Sequence, residues 1–297
     1  MEEKTGDSIN IAILGAGIMA KGMIRNLQKH HNINLFLYNR TREILHSIAQ
    51  ERDTICVTPK DAALQSTIVI SCVSDDDASK EVWFGEEGAA KGLTPGTFAI
   101  ESSTVSVNYM TEWIQRLLEL GVTPVDCPLT GSKIGAENGE LSAFFGGEMD
   151  TLNSLRPILS LFCKNIFRIG GTGDGCKFKL VHNLLGGTIL TAYAEALHMA
   201  GRLHLSEELT NDILSQTGWG SLVGSSKGSY MVKGDYTDVH GSLDILSKDL
   251  KYGIEADPVN PDTVFYNAAK QFLKSQEKGL GRLDMAAIRE LYRLEED

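Results

Sequence analysis

Short apolar runs alternate with amphipathic ones from Ile9 to about Gly170, glycines follow the first of those runs, and the remainder reads almost entirely as helix. Together these observations predict an α/β Rossmann-type N-terminal domain followed by an all-α C-terminal domain. In chain order the candidate strands are IAIL, LFLY, ICV, IVISC, FAIE, PVDC, AFF and IFRI. Their alternation with helical segments implies a mostly parallel sheet covered by helices. The pattern changes after Gly170-Gly171-Thr172-Gly173, which sets a first domain of residues 1–172 and a second of 173–297. The second opens on a long helix and is interrupted at Gly218-Trp219-Gly220, around Gly224-Ser225-Ser226 and at Pro258-Val259-Asn260-Pro261.

The first unit is the most specific. Its strand INIAIL runs into Gly15-Ala16-Gly17-Ile18-Met19-Ala20, a helix follows (KGMIRNLQKH), and a second strand (INLFLY) ends in Asn39-Arg40-Thr41. Gly15 permits a tight turn, Gly17 lets a phosphate come close to the backbone, and the N–H groups of the next helix face the anion. Ala20 holds the third small position, where helix packs on strand. Gly15, Ala16, Gly17, Ile18 and Met19 are therefore assigned to a dinucleotide pyrophosphate. Domains that prefer NAD place an acid about 20 residues beyond the glycines, on the ribose. Here Tyr38-Asn39-Arg40-Thr41 stands in that place and the first acid is Glu43. No carboxylate repels a 2′-phosphate and Arg40 offers a planar fork of donors, so NADP(H) is preferred, with NAD(H) as the alternative. The same residues also read as a polar turn with Thr41 capping the next helix.

The length fits two domains of ordinary size, and a composition 42% hydrophobic and 23% charged is that of a globular chain. A net charge of −11 without a Lys/Arg-rich block argues against nucleic acid or an anionic membrane as partner. The five cysteines show no C-x-x-C spacing, which points to buried thiols in a reducing compartment rather than disulfides or a metal site. Met1-Glu2-Glu3-Lys4 lacks the pattern of a secretory signal and no run approaches 18 apolar residues, so the expectation is a cytoplasmic enzyme.

Lys177 to Gly201 is apolar on nearly every face, the mark of a helix buried between domains or subunits. Lys179 and Asn183 lie i, i+4 on one face, and Gly186 and Gly187 continue it with room for a ligand. A lysine in partly dry surroundings has its ammonium form disfavoured, which suits proton exchange near neutral pH and makes Lys179 a candidate general acid/base. The bland alternative is a lysine whose stem packs on apolar neighbours while its head reaches water. A second constellation, Asp126 to Gly139, follows the carboxyl end of a strand. There Thr130 and Ser132 provide hydroxyls and Gly131 a bare N–H, together a nest for a carboxylate or simply a glycine-rich turn. Val73-Ser74 and Ser103-Thr104 are two further polar strand ends that fit a cofactor cleft.

In these ordered motifs the chain resembles the β-hydroxyacid dehydrogenases, the group containing 3-hydroxyisobutyrate dehydrogenase and glyoxylate/succinic semialdehyde reductase, related to 6-phosphogluconate dehydrogenase. Gly15-Ala16-Gly17-Ile18-Met19 is similar to that family's nucleotide fingerprint and Asp126 to Gly139 to its substrate loop. Gly171-x-Gly173 with Lys179-x-x-x-Asn183 is similar to its catalytic segment, and Lys248-Asp249-Leu250 to its C-terminal K-D-L element. The resemblance implies that Lys179 moves the proton of the hydroxyl or carbonyl and Asn183 positions that oxygen. It further implies that Thr130, Gly131 and Ser132 hold the substrate carboxylate and Lys248 closes over substrate and nicotinamide, with Asp249 orienting the lysine or capping. Ser103 and Thr104 would border the nicotinamide. Leu129, Thr130 and Ser132 depart from the usual valine, serine and second glycine of the loop, and no aromatic residue precedes Lys248 in His240-Gly241-Ser242-Leu243.

The implied activity is NADP(H)-dependent interconversion of a short β-hydroxyacid, 4-hydroxybutyrate or glycolate and its semialdehyde or oxo acid. An NADPH-dependent imine reductase and a non-catalytic NADP(H)-binding protein are the competing readings. The expected partners are a small carboxylate-bearing substrate and, because the long apolar helix needs cover, further copies in a homodimer or homotetramer.

Overall fold

The computed structural model describes residues 8–257 and 261–293, so Met1 to Lys4 and the Pro258-Val259-Asn260 interruption lie outside the described residues. One sheet contains β1 (Ile9–Leu14), β2 (Ile33–Tyr38), β3 (Thr54–Ile55), β4 (Ile68–Ser71), β5 (Phe98–Glu101), β6 (Thr123–Asp126), β7 (Leu129–Thr130), β8 (Leu141–Gly146) and β9 (Cys163–Gly170). The order β3-β2-β1-β4-β5-β6 is parallel throughout. Residues Ile11 to Leu14 of β1 are fully buried, because a central parallel strand is covered on both faces. Its side chains alternate between two cores. Ile11 and Ile13 pack with Met23, Leu155 and Phe162, whereas Ala12 and Leu14 face Trp83 and Trp113. The two tryptophans meet edge to face, 5.4 Å apart.

The sheet is mostly parallel, as expected, with two further features. β8 runs antiparallel to β6 and β7, and β7 itself, only two residues within the Asp126–Gly139 loop, was not expected. A two-residue strand carries no period for a sequence to show.

The sheet is flanked by α1 (Ile18–Leu27), α2 (Arg42–His46), α3 (Pro59–Leu64), α4 (Asp76–Phe84), α5 (Val107–Leu118), α6 (Lys133–Asn138) and α7 (Met149–Leu159). α1 begins three residues before the expected Lys21, directly on Gly17, and no side chain caps it. The chain leaves β1 towards β2 and β3 and returns to β4 on the other side of β1. Such a reversal opens a crevice at the carboxyl ends of β1 and β4, where open α/β sheets bind ligands.

The chain divides into two compact units, the first ending at Lys179 and the second beginning at Leu180, inside the long helix α8 (Asp174–Arg202). The second unit also contains α9 (Glu207–Gln216), α10 (Ser221–Val223), α11 (Ser229–Lys233), α12 (Leu243–Ala256), α13 (Val264–Glu277) and α14 (Glu290–Arg293). Its core joins Leu184, Leu190, Tyr193 and Leu197 of α8 to Leu250 and Phe272. The interruptions appear as a 3-10 turn at Gly218–Gly220 and a π-helical turn at Gly224–Gly228.

Expected to be buried between domains or subunits, α8 is covered by its own chain only in part. Val181, Leu185, Ile189, Ala192, Ala196 and Met199 form an exposed apolar stripe at helical spacing in the single chain. Among the described residues no helix is long and apolar enough to cross a membrane. All five cysteines are free thiols, four buried and Cys72 half-buried.

Candidate active site

The turn after β1 has a backbone that only glycine suits. Gly15 has φ +114°, and a Cβ there would collide with the Cys72 carbonyl oxygen. At Gly17 an added Cβ meets nothing within 4 Å, so no protein packing requires this glycine and the space beside it is open. The uncapped N–H groups of the first turn of α1 face that space, an arrangement that fits a dinucleotide pyrophosphate. Asn39 Oδ1 accepts from the Ala16 N–H (3.0 Å) and Nδ2 donates to the Thr41 carbonyl (2.8 Å), which pins the turn to the end of β2. Thr41 precedes α2, but its hydroxyl does not cap it, contrary to the reading of Thr41 as a capping side chain. Arg40 is exposed and has no hydrogen-bond or ion-pair partner among the described residues.

The ends of β4 and β5 are held together from below. The Val73 N–H donates to Ser103 Oγ (2.8 Å), the Ser103 N–H donates to Glu101 Oε1 (2.9 Å), and Ser74 Oγ donates to Asp75 Oδ2 (2.6 Å). Ser103 is thus buried with its hydroxyl engaged, and Thr104 beside it is half-buried. Glu101 is fully buried and also accepts from Ser79 Oγ (2.5 Å) and Trp83 Nε1 (2.9 Å). Burial pushes its carboxyl up, and the donors around it pull the other way. Sequence reasoning missed Glu101, although an acid closing the apolar strand FAIE was the available signal.

In the loop after β6, Thr130 is half-buried while Gly131 and Ser132 are exposed. Gly131 has φ +142° and turns the chain into α6, whose first turn is capped by Ser132 Oγ accepting from the Gly135 N–H at 3.0 Å. Asp126, at the end of β6, is fully buried. Its Oδ1 accepts from the Gly173 N–H and its Oδ2 from the Cys176 N–H, both at 2.6 Å. Burial raises its carboxyl to about 6, against the pull of those two donors. Its grip on α8 was not visible in the sequence.

Lys179 is 7% exposed, unlike its neighbours Lys177 and Phe178. Its charge acts on the Cys72 thiol, which burial and then Glu101 push up to about 12. Lys179 is thus within electrostatic range of Cys72, which follows β4 and whose carbonyl backs the Gly15 turn. In the second unit Asn183 Nδ2 donates to Asp249 Oδ2 (2.6 Å), and Lys248 Nζ pairs with Asp249 Oδ1 (2.8 Å) and lies 5.1 Å from the centre of the Tyr252 ring. Asp249, 3% exposed, thus orients the amide as well as the lysine. The two glycines beyond Asn183 differ: Gly186 faces open space, whereas Gly187 admits Leu250 of α12 rather than a ligand.

The chain resembles known proteins over nearly its whole length. The profile of the NAD binding domain of 6-phosphogluconate dehydrogenase matches residues 10–171, and that of the NAD-binding domain of NADP-dependent 3-hydroxyisobutyrate dehydrogenase matches 173–292. The chain is 26% identical to an L-threonate dehydrogenase of Cupriavidus necator, over 96% of each chain. It is 27% identical to glyoxylate/succinic semialdehyde reductase 1 of Arabidopsis thaliana, over 94% of this chain and 97% of that one. A 3-hydroxyisobutyrate dehydrogenase from Salmonella typhimurium shares its fold, with a TM-score of 0.83 at 24% identity, over 96% of this chain and 100% of that one. With both profiles in chain order on a sheet whose switch point carries the glycine turn, the chain belongs to the β-hydroxyacid dehydrogenase family of NAD(P)-dependent oxidoreductases acting on CH–OH groups.

Proposed function

We propose that the protein interconverts a short β-hydroxyacid, 4-hydroxybutyrate or glycolate with its semialdehyde or oxo acid, using NADP(H). The observation that carries this reading is the burial of Lys179, a lysine 7% exposed within electrostatic range of Cys72, whose carbonyl backs the Gly15 turn. Nucleotide binding is assigned to residues 1–172, through Gly15, Ala16, Gly17, Ile18 and Met19, with Val73, Ser74, Ser103 and Thr104 shaping the strand ends. Substrate positioning and self-association are assigned to 173–297. When bound, the nicotinamide supplies or accepts the hydride. Lys179 Nζ gives a proton to the carbonyl oxygen in reduction and recovers it from the hydroxyl in oxidation. Asn183, its amide held by Asp249, orients that oxygen. The Thr130 hydroxyl, the Gly131 N–H and the backbone at Ser132 hold the substrate carboxylate, while Lys248 adds positive charge over the reacting pair. Positioning supplies much of the rate.

Supporting NADP(H) over NAD(H) is Arg40, exposed and unpaired among the described residues, with Asn39 and Thr41 beside it. Arg40→Ser is expected to weaken NADPH binding by roughly 10-fold, the loss of a charge-assisted contact of about 1.5 kcal/mol, and to leave NADH binding unchanged. Titration of both coenzymes by nucleotide fluorescence checks this, and equal loss for the two would contradict the assignment. The exposed stripe from Val181 to Met199 supports a homodimer or homotetramer, since a single chain rarely leaves so long an apolar helical face to water.

The activity itself is tested by following coenzyme absorbance with succinic semialdehyde, glyoxylate, 3-hydroxyisobutyrate and a cyclic imine. Turnover of at least one acid, faster with the phosphorylated coenzyme, is expected. Turnover of the imine alone, or of none, would overturn the reading.

A further inference from the structure

We infer that Asp126 is a positioning residue for this reaction: by gripping the first turn of α8 it fixes the rotation of the helix that turns Lys179 inward. The inference rests on the acid/base reading of Lys179. Both carboxylate oxygens of Asp126 are engaged, one by the Gly173 N–H just before the helix and one by the Cys176 N–H within it. A cap normally needs one such bond, whereas two from one carboxylate fix the turn about its axis as well as along it. Space around the carboxylate is closed. A Cβ at Gly146 of β8 would run into Asp126 Oδ1, and one at Gly175 would lie 2.9 Å from Oδ2 and collide with the Phe144 carbonyl. The same turn has a second tether, Cys176 Sγ donating to the Val105 carbonyl at 3.2 Å.

Lys179 follows Cys176 by three residues and shares its side of the helix. With 3.6 residues per turn, a slip of one position rotates the helix by about 100°. Such a slip would carry Lys179 from its buried place towards the exposed positions that Lys177 and Phe178 hold. Asp126 therefore acts on the proton-transfer group through the backbone, without touching substrate.

The test compares Asp126→Asn, which keeps one acceptor oxygen and the side-chain volume, with Asp126→Ala, each alone and combined with Lys179→Ala. Circular dichroism first sets a temperature at which every variant is folded, and the preferred acid of the panel is then used to measure kcat and KM. Displacement of a reacting group by about 1 Å lowers turnover on the order of 100-fold, so kcat should fall by roughly 10-fold in the Asn variant and 100-fold in the Ala variant. KM and the NADPH dissociation constant should stay unchanged, and neither substitution should slow Lys179→Ala any further. Wild-type kcat in Asp126→Asn and Asp126→Ala, with Lys179→Ala slow, would overturn the positioning role alone. Equal slowing in both backgrounds would do the same, since it marks a purely structural effect. Full turnover in Lys179→Ala would instead overturn the acid/base reading itself. Should the Ala variant not fold, the Asn variant carries the comparison in both backgrounds.

Discussion

Lys179→Ala is expected to lower kcat by roughly 10²–10⁴-fold, the usual contribution of a positioned acid or base, with NADPH still bound. The size of the effect follows from burial. Lys179 is 7% exposed on the first turns of a helix, and alanine leaves no side-chain proton donor in its place. Nucleotide affinity should survive because Gly15, Gly17 and the uncapped start of α1 are untouched. Steady-state kinetics together with a fluorescence titration separates the two terms. A kcat within a factor of about 3 of wild type would remove Lys179 from the chemistry, since general catalysis contributes far more than that.

Gly15→Ala should have the second large effect. Its φ of +114° is a conformation that L side chains rarely adopt, and the new Cβ would meet the Cys72 carbonyl, which is backbone and cannot swing away. Strain and overpacking each amount to about 1–3 kcal/mol, so a loss of roughly 2–6 kcal/mol is expected on denaturant unfolding, along with loss of nucleotide binding. Gly17→Ala is the control. A Cβ there meets nothing within 4 Å, so stability should change little while NADPH binding weakens, because the methyl group enters the space meant for phosphate. If both variants behaved alike, Gly17 would be a structural turn residue and the open space beside it irrelevant.

These two glycines show what kind of information the sequence carries. A turn that needs positive φ after a buried strand is a local demand, and the order strand, Gly15, Gly17, helix, strand states it in neighbouring residues. The eight principal strands were legible for the same reason, since each is an apolar run bounded by turn residues. What stayed hidden is non-local. Asp126 and Cys176 are 50 positions apart, Val73 and Ser103 are 30, and Asn183 and Asp249 are 66, so no spacing rule could pair them. A hydroxyl before a short helix, such as that of Ser132, reads the same in sequence whether it meets a ligand or caps, and the sequence did not show that it accepts from the Gly135 N–H. Which side of α8 its own chain covers stayed hidden for a related reason. Apolar residues on every face announce that a helix will be covered, but they do not say which face the chain itself covers.

The most direct measurement is a crystal structure of the enzyme with NADP⁺ and a short hydroxyacid bound. Lys179 Nζ is expected within about 3 Å of the hydroxyl oxygen, with the carboxylate resting against Thr130 and Gly131. A lysine aimed at bulk water, with the acid bound elsewhere, would contradict that placement.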